Sequence, residues 1–397
     1  MIVRKIKENE YDRTQEVFSI AFEMKMDQKA LSEERLSRIK SFPMNREEKY
    51  WSERWAAFDE SGAMLGFLTG FPATVRFDGN RVGCTCIGGV SSLPQFRGRG
   101  AIAGCFQKHL ADSYRAGHVI SYLYPFSTHF YRKFGYEVCV ETVNWTLDVA
   151  AVPSFQKTAG KAVLNEGNAE ISSIRKVYDD FMSDYNLSFV REDCDWSKAV
   201  SQAPAVEGRF TYVWKNENGI PKGVMTFRKE YDPVTRLSTM CCEEFYFSDT
   251  QGLCGLLGHI SSYRSHFQKL KIPLPKDIAL ERVLPEVSGS CRRELDFTGM
   301  GRIINAERAF WLARYQGSGE ITIKLTDPCV AQNNRSFKVT FSDGQCVAVG
   351  QSGTSIHELD IAAFSRLVLG ACGTDEIKDD QLKKIFYPKK AYIRDFF

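Results

Sequence analysis

The sequence predicts an α+β fold built from a duplicated unit and a third, different domain. Three observations predict it. Residues 1–149 run strand, helices, antiparallel meander, glycine-rich loop, helix. Residues 169–290 repeat that order in weaker form, and from Met300 the pattern changes again. The corresponding boundaries are 1–149, 150–288 and 289–397.

Each element follows from its periodicity. Ile2 to Ile6 alternate like a strand, and Tyr11 to Phe22 carry apolar residues at helical spacing. A more polar helical stretch covers Ser32 to Lys40. Trp51–Phe58 and Met64–Arg76 read as strands joined at Ser61-Gly62, and Asp78-Gly79 turns the chain into a third strand, Val82–Ser92. Ala101 to Ala116 is a helix stopped by Gly117, followed by strand Val119–Leu123, a short helix after Pro125 and strand Cys139–Leu147. Ala150 to Lys161, with Pro153 and Gly160, reads as a linker.

In the second copy the reading is strand Glu170–Ile174, helix Val177–Met182, a helix around Trp196, strands Tyr212–Lys215, Gly223–Lys229 and Thr239–Phe247, then helix Gly252–Phe267. Its strand-to-helix junction, Ser248-Asp249-Thr250-Gln251-Gly252, lacks a glycine-arginine loop. The last third reads as helix Ala306–Arg314, strands Ile321–Leu325, Phe337–Phe341 and Gln345–Val349, and helices Ile356–Gly370 and Asp379–Phe386. The ending Tyr392-Ile393-Arg394-Asp395-Phe396-Phe397 is apolar and aromatic where tails are normally polar, which predicts burial of the last residues together with a carboxylate.

Composition narrows the function classes. The formal net charge of +3 is small and gives no support for a nucleic-acid binder, which should show a concentrated basic face, so nucleic acid is not an expected partner. No run of 18 apolar residues and no signal-peptide core occur, so no membrane span is expected and the expected location is cytoplasmic. The 12 Cys are scattered without a CxxC pair, and the six His never pair at ligand spacing, so reduced packing thiols and no metal are expected.

The chemistry concentrates at Val90-Ser91-Ser92-Leu93-Pro94-Gln95-Phe96-Arg97-Gly98-Arg99-Gly100-Ala101-Ile102-Ala103. Gly98 and Gly100 let the backbone bend and bring N–H groups close to an anion, while Arg97 and Arg99 add charge at a helix N-terminus. A Rossmann site would need a parallel βαβ start and an acid about 20 residues on; here the loop follows an antiparallel meander. Gln95-x-x-Gly98-x-Gly100 between strand and helix resembles the acetyl-coenzyme A pyrophosphate loop of the GNAT N-acetyltransferases. With Tyr131-Arg132-Lys133-Phe134-Gly135-Tyr136, the degenerate second copy and the third domain, the whole chain resembles the Eis (enhanced intracellular survival) family.

That resemblance implies two GNAT-like domains, the second degenerate, and a sterol-carrier-protein-like domain whose C-terminal carboxylate reaches the first domain's active site. It implies acetyl-CoA as donor, a small-molecule or peptide amine as acceptor and a homo-hexamer. By position it implies that Val90, Ser91 and Ser92 pair with pantetheine, the Val90 N–H facing the thioester oxygen. Arg97, Gly98, Arg99, Gly100, Ala101, Ile102 and Ala103 would hold the pyrophosphate, with Phe126 and Ser127 on the facing side of the cofactor. Tyr131 would be the general acid and the Phe397 carboxylate the general base. Asp27 and Asp395 are candidates to attract a cationic amine, and solvated surface carboxylates are the other reading of both. The resemblance also implies an acidic residue beside the terminal Phe, where this chain has Phe396, one negative charge fewer for a polycation such as an aminoglycoside. Polyamine and lysine-containing acceptors remain open. A different class of function, a lipid carrier using coenzyme A only as a regulatory ligand, follows if the third domain keeps a lipid tunnel.

Overall fold

A computed structural model describes residues 1–26, 54–153, 158–287, 289–351, 357–371 and 379–396. The polar helical stretch expected at 32–40 lies outside them. By compactness the chain forms two units, Met1–Cys139 with Gly299–Lys389 and Phe396–Phe397, and Val140–Thr298 with Lys390–Asp395.

The first unit begins with β1 (Ile2–Lys5), α1 (Tyr11–Ala21), β2 (Arg54–Phe58), β3 (Met64–Phe77) and β4 (Asn80–Ser92). These strands pair antiparallel in sequence order. Asp78 and Gly79 turn the β3–β4 hairpin with φ of 48° and 84°, the positive values that a two-residue hairpin demands. α2 (Ala101–Arg115) then crosses to β5 (Ile120–Leu123), which lies parallel to β4. α2 buries Ala101, Cys105, Phe106, His109, Leu110 and Ser113, one face at helical spacing, against Trp55, Leu68 and Ile87 of the sheet. α3 (Thr128–Arg132) and β6 (Glu137–Asp148) follow, β6 leaving this unit after Cys139.

His109 explains a glycine inside β3. A Cβ at Gly70 would stand 2.0 Å from His109 Cε1, so the ring lies where a side chain would be. Its Nε2 bonds Thr85 Oγ1 at 2.9 Å, and burial, aided by His118, lowers its pKa to about 3. The folded state therefore refuses a proton that the unfolded chain accepts below its ordinary pKa near 6.5. The sign follows: His109 costs nothing above that value, and stability falls as pH drops from there toward the depressed folded value. Denaturant titrations between pH 7 and 4.5 are expected to lose about 1 kcal/mol per pH unit that His109→Gln does not lose.

The second unit repeats the plan with β7 (Gly160–Leu164), α4 (Ile171–Met182), α5 (Asp193–Ala199), α6 (Pro204–Glu207), β8 (Arg209–Asn216), β9 (Pro221–Asp232), β10 (Leu237–Phe247), α7 (Thr250–Ser261) and β11 (Lys269–Pro275). Again three antiparallel strands precede a helix and a parallel partner, β10 beside β11. Two expectations are corrected. Glu170–Ile174 is not a strand: Ile171 opens α4, whose buried Ile174, Val177, Tyr178, Phe181 and Met182 follow helical spacing. The strand is β7, at the end of the stretch read as a linker, where Gly160–Leu164 pair with Tyr212–Asn216.

The C-terminal third comprises β12 (Cys291–Ile303), α8 (Ala306–Leu312), β13 (Gly319–Thr326), β14 (Ser336–Ser342), β15 (Gln345–Gln351), β16 (His357–Asp360), α9 (Ile361–Val368) and α10 (Asp380–Ile385). β13–β16 form a sheet in the order β15-β14-β13-β16. β16 replaces the first turns of a longer expected helix, because His357–Asp360 pair in parallel with Ile323–Thr326. β12, which no periodicity flagged, ends with Met300–Ile303 antiparallel to Ile120–Leu123, completing the first domain's sheet from far along the chain. Lys389 is buried against Asp78 at 2.5 Å, fixing the hairpin turn to the segment before the C-terminus.

Candidate active site

The site is built where β4 outruns β5. β4 pairs with β5 only through Cys84–Ile87, so on that side residues 88–92 have no named strand partner among the described residues. On the other side the register slips: Phe67 faces Ser91 but Thr69 faces Gly88, leaving Gly89 and Val90 opposite Leu68. This is a β-bulge, with Gly89 at φ 58°. Ser91 Oγ donates to the Gly89 carbonyl at 3.0 Å and holds the bulge from within. A bulge beside a splay presents backbone donors and acceptors along an open edge, the surface to which an extended ligand adds as a strand.

That edge leads into the glycine loop. A single turn at Pro94–Phe96 is followed by Gly98 at φ 77° and Gly100 at φ 79°, Gly100 being the N-cap of α2. Both conformations strain any residue with a Cβ, yet a Cβ at either would meet nothing within 4 Å, so open space lies over the loop. No side chain caps α2 and no acidic residue stands in its first turn. The first-turn N–H groups and the helix dipole therefore face that space uncompensated, a ready anion site. Arg97 donates to the Ala21 carbonyl at 3.2 Å, and the Arg99 guanidinium lies 5.4 Å from the Phe96 ring centre, so both cations are held around the loop.

The second copy makes the contrast. At the start of α7, Asp249 accepts the Gly252 N–H at 3.0 Å, and its other oxygen is paired with Lys222. A carboxylate already fills the place an anion would take. Its bulge, between Cys242 and Glu244, carries Glu243, paired with Arg209 and Arg228, while Glu244 pairs with Arg191. The two carboxylates thus serve separate partners.

On the far side of the splay the chain leaves β5 through Tyr124. Phe126 is 63% exposed, an apolar ring left facing solvent. Ser127 caps α3, its Oγ accepting the Phe130 N–H at 3.3 Å. Tyr131 is buried, edge-on to Phe126 at 5.2 Å, Phe130 at 5.2 Å and Phe106 at 6.0 Å. Burial pushes its hydroxyl well above the ordinary tyrosine range, and that hydroxyl makes no hydrogen bond among the described residues. Val90, Ile102 and Ala103 pack on the same apolar cluster that contains Tyr131, so one cluster joins bulge, loop helix and tyrosine. Cys105 is fully buried, with its thiol raised to about 12, and is unsuited to be a nucleophile.

Phe396 stacks on Tyr124 at 4.8 Å, next to β5, but stays 68% exposed, so the expected burial of the last residues holds for Tyr392 and Ile393 and not for Phe396. Phe397 and Asp27 lie outside the described residues. Asp395 is in the second unit, its carboxylate 2.6 Å from Arg191, which also forks onto Glu244 at 2.9 and 3.1 Å. One guanidinium is thus shared between two carboxylates, and burial together with the neighbouring Glu244 raises the Asp395 carboxyl above the ordinary range. The sequence reading missed the bulge and Arg191. Paired glycines inside a strand, Gly88-Gly89, were the available signal for the first; nothing local marks the second.

Comparison with known proteins bears on the domains and the fold. Residues 2–139 match the acetyltransferase (GNAT) domain family, residues 187–303 a second acetyltransferase (GNAT) domain family and residues 306–380 the sterol carrier protein domain family. Among solved structures, the chain is similar to a conserved Enterococcus faecalis V583 protein described as a probable N-acyltransferase, at 19% identity and TM-score 0.83, over 100% of this chain and 99% of that one. A GCN5-related N-acetyltransferase from Anabaena variabilis is 18% identical, with TM-score 0.83 and all of both chains covered. Eis1 from Mycobacterium abscessus is 15% identical, with TM-score 0.76 and all of both chains covered. At these identities the likeness is one of fold. No curated protein matches the sequence. Among the described residues no helix is long and apolar enough to cross a membrane.

Proposed function

We propose that this chain, an Eis-like protein of two GNAT acetyltransferase domains and a sterol carrier protein domain, moves an acetyl group from acetyl-coenzyme A to a primary amine. The observation that carries the proposal is the open edge of β4 at 88–92 running into an uncapped helix N-terminus lined by Gly98, Arg99 and Gly100. The site fits the donor: positive-φ glycines with clear space over them suit a pyrophosphate, and a bulged free edge suits the amide-bearing pantetheine arm.

Acetyl-coenzyme A supplies the activated acetyl group. The residues assigned to hold it are Val90, Ser91 and Ser92 along the edge and Arg97 to Ala103 at the loop, with Phe126 and Ser127 opposite. Val90, within the bulge, is assigned to offer its N–H to the thioester oxygen. Tyr131 is protonated at neutral pH, as a tyrosine ordinarily is, and is assigned to protonate the departing sulfur. An ammonium must lose a proton before it attacks, and the carboxylate of Phe397 is assigned as the base. The stacking of Phe396 on Tyr124 supports that assignment. Asp395 acts through Arg191, holding the residues that precede the terminal pair. Asp27 keeps its assignment as a contact for the cationic acceptor.

Thiol release from acetyl-coenzyme A, followed over a panel of aminoglycosides, polyamines, lysine-containing peptides and arylamines, tests the reading. The expected result is release that depends on the added amine. If no amine raises the rate, and lipid is extracted from the purified protein instead, the carrier reading replaces this one.

A further inference from the structure

We propose that Arg302 and Asp327, from the C-terminal third of the chain, are positioning residues for Tyr131. The inference rests on Tyr131 being the proton donor. Both side chains are 0% exposed, and the Arg302 Nη2 donates to Asp327 Oδ2 at 2.5 Å. The other arm of the same guanidinium, Nη1, donates to the carbonyl of Phe134 at 2.5 Å. Phe134 belongs to the turn that closes α3. Its N–H donates to the Tyr131 carbonyl at 2.9 Å, and the Tyr136 N–H reaches that carbonyl at 3.4 Å.

The helix bearing Tyr131 is only Thr128–Arg132, too short to hold its own direction. What fixes it must grip its ends. Ser127 grips the first, and the Arg302-held turn grips the second. Gly135, at φ 81°, lets that turn close tightly enough for Arg302 to reach in; a Cβ there would be 3.4 Å from Nη1 and 2.4 Å from Ile361.

Asp327 is itself fixed before it orients the guanidinium. Its Oδ1 accepts the N–H groups of Cys329 and Val330 at 2.8 and 3.1 Å, and its Oδ2 also accepts Asn333 Nδ2 at 2.8 Å. Asn333 in turn bonds the Ile304 carbonyl at 2.8 Å and the Ala306 N–H at 3.1 Å. The network runs from the sterol carrier protein domain through β12 to the tyrosine's helix. A buried ion pair is a poor source of net stability, since apolar side chains of the same volume pack as well; a planar fork with two fixed acceptors is a good source of geometry. On this view the third domain contributes alignment to the first domain's chemistry.

The test is a set of purified full-length variants assayed for thiol release. Arg302→Met combined with Asp327→Asn removes the charges while keeping an acceptor for the Cys329 and Val330 N–H groups. Arg302→Lys keeps the charge but loses the fork, and it decides the question if the double variant fails to fold. The expected result is a fall in kcat of about tenfold with KM for acetyl-coenzyme A unchanged, as misalignment of a positioned acid predicts. In a Tyr131→Phe background the same changes should lower kcat by less than about twofold, because residues acting through one group are not additive. An unchanged kcat, or an equal loss with and without the Tyr131 hydroxyl, overturns the inference. A fully active Tyr131→Phe enzyme would instead sink the functional reading beneath it.

Discussion

Tyr131→Phe is expected to lower kcat for acetyl transfer by about 10²- to 10³-fold, within the range for losing a positioned general acid. KM for acetyl-coenzyme A should be unchanged, because the assigned donor contacts lie at Val90 to Ser92, at Arg97 to Ala103 and at Phe126-Ser127. The substitution separates chemistry from folding unusually well. The ring's contacts with Phe106, Phe126 and Phe130 survive in phenylalanine. The hydroxyl contributes no hydrogen bond among the described residues, so its removal strands no partner there. The melting temperature should therefore move by no more than about 2 °C. Because burial raises the hydroxyl's pKa, the wild-type rate should show no alkaline fall from this group up to pH about 10, the ordinary tyrosine value. Wild-type kcat in the variant would make Tyr131 a core aromatic and nothing more.

An element of this fold is legible in the sequence where its signal is local. The meander, the Asp78-Gly79 hairpin and the loop at Gly98 to Gly100 were legible because each is set by periodicity or by residues that tolerate positive φ. β12 was not, because what makes Met300–Ile303 a strand is the edge of β5, contributed by residues about 180 positions earlier. The same holds for β16, where parallel pairing to β13 overrode a continuous helical pattern. β7 was hidden by Pro153 and Gly160, whose punctuation marks a linker only if no partner strand lies beside it. At the site, residue types were readable, but their supports were not. Nothing around Phe134 announces that an arginine 168 residues on will hold its carbonyl. Asp395 was readable as an acid near an aromatic end, and the structure supplies the partner, Arg191, that gives it a holding part.

That holding part bears on the second large effect. Appending two residues after Phe397 is expected to lower kcat by about 10²- to 10³-fold while leaving the fold intact. The approach to the terminus is fixed by several independent contacts. Asn186 and Ala391 form a bridge, the Tyr392 hydroxyl donates to the Pro273 carbonyl at 3.2 Å, and Asp395 sits on Arg191. Phe396 then stacks on Tyr124. None of these needs the carboxylate, so circular dichroism and the melting temperature should match wild type, as should KM for acetyl-coenzyme A. What changes is the position of the charge. Each added residue moves the terminal carboxylate by about 3.5 Å, more than the 1 Å that spoils a proton transfer. Deleting Phe397 moves it the other way by one residue and should cost as much. In the deletion variant, added acetate should restore part of the rate, because the vacated position can then be served by a free carboxylate, whereas Tyr131→Phe should show no such rescue. Equal activity in the extended, shortened and natural chains would remove the Phe397 carboxylate from the mechanism and leave water or a side chain as the base.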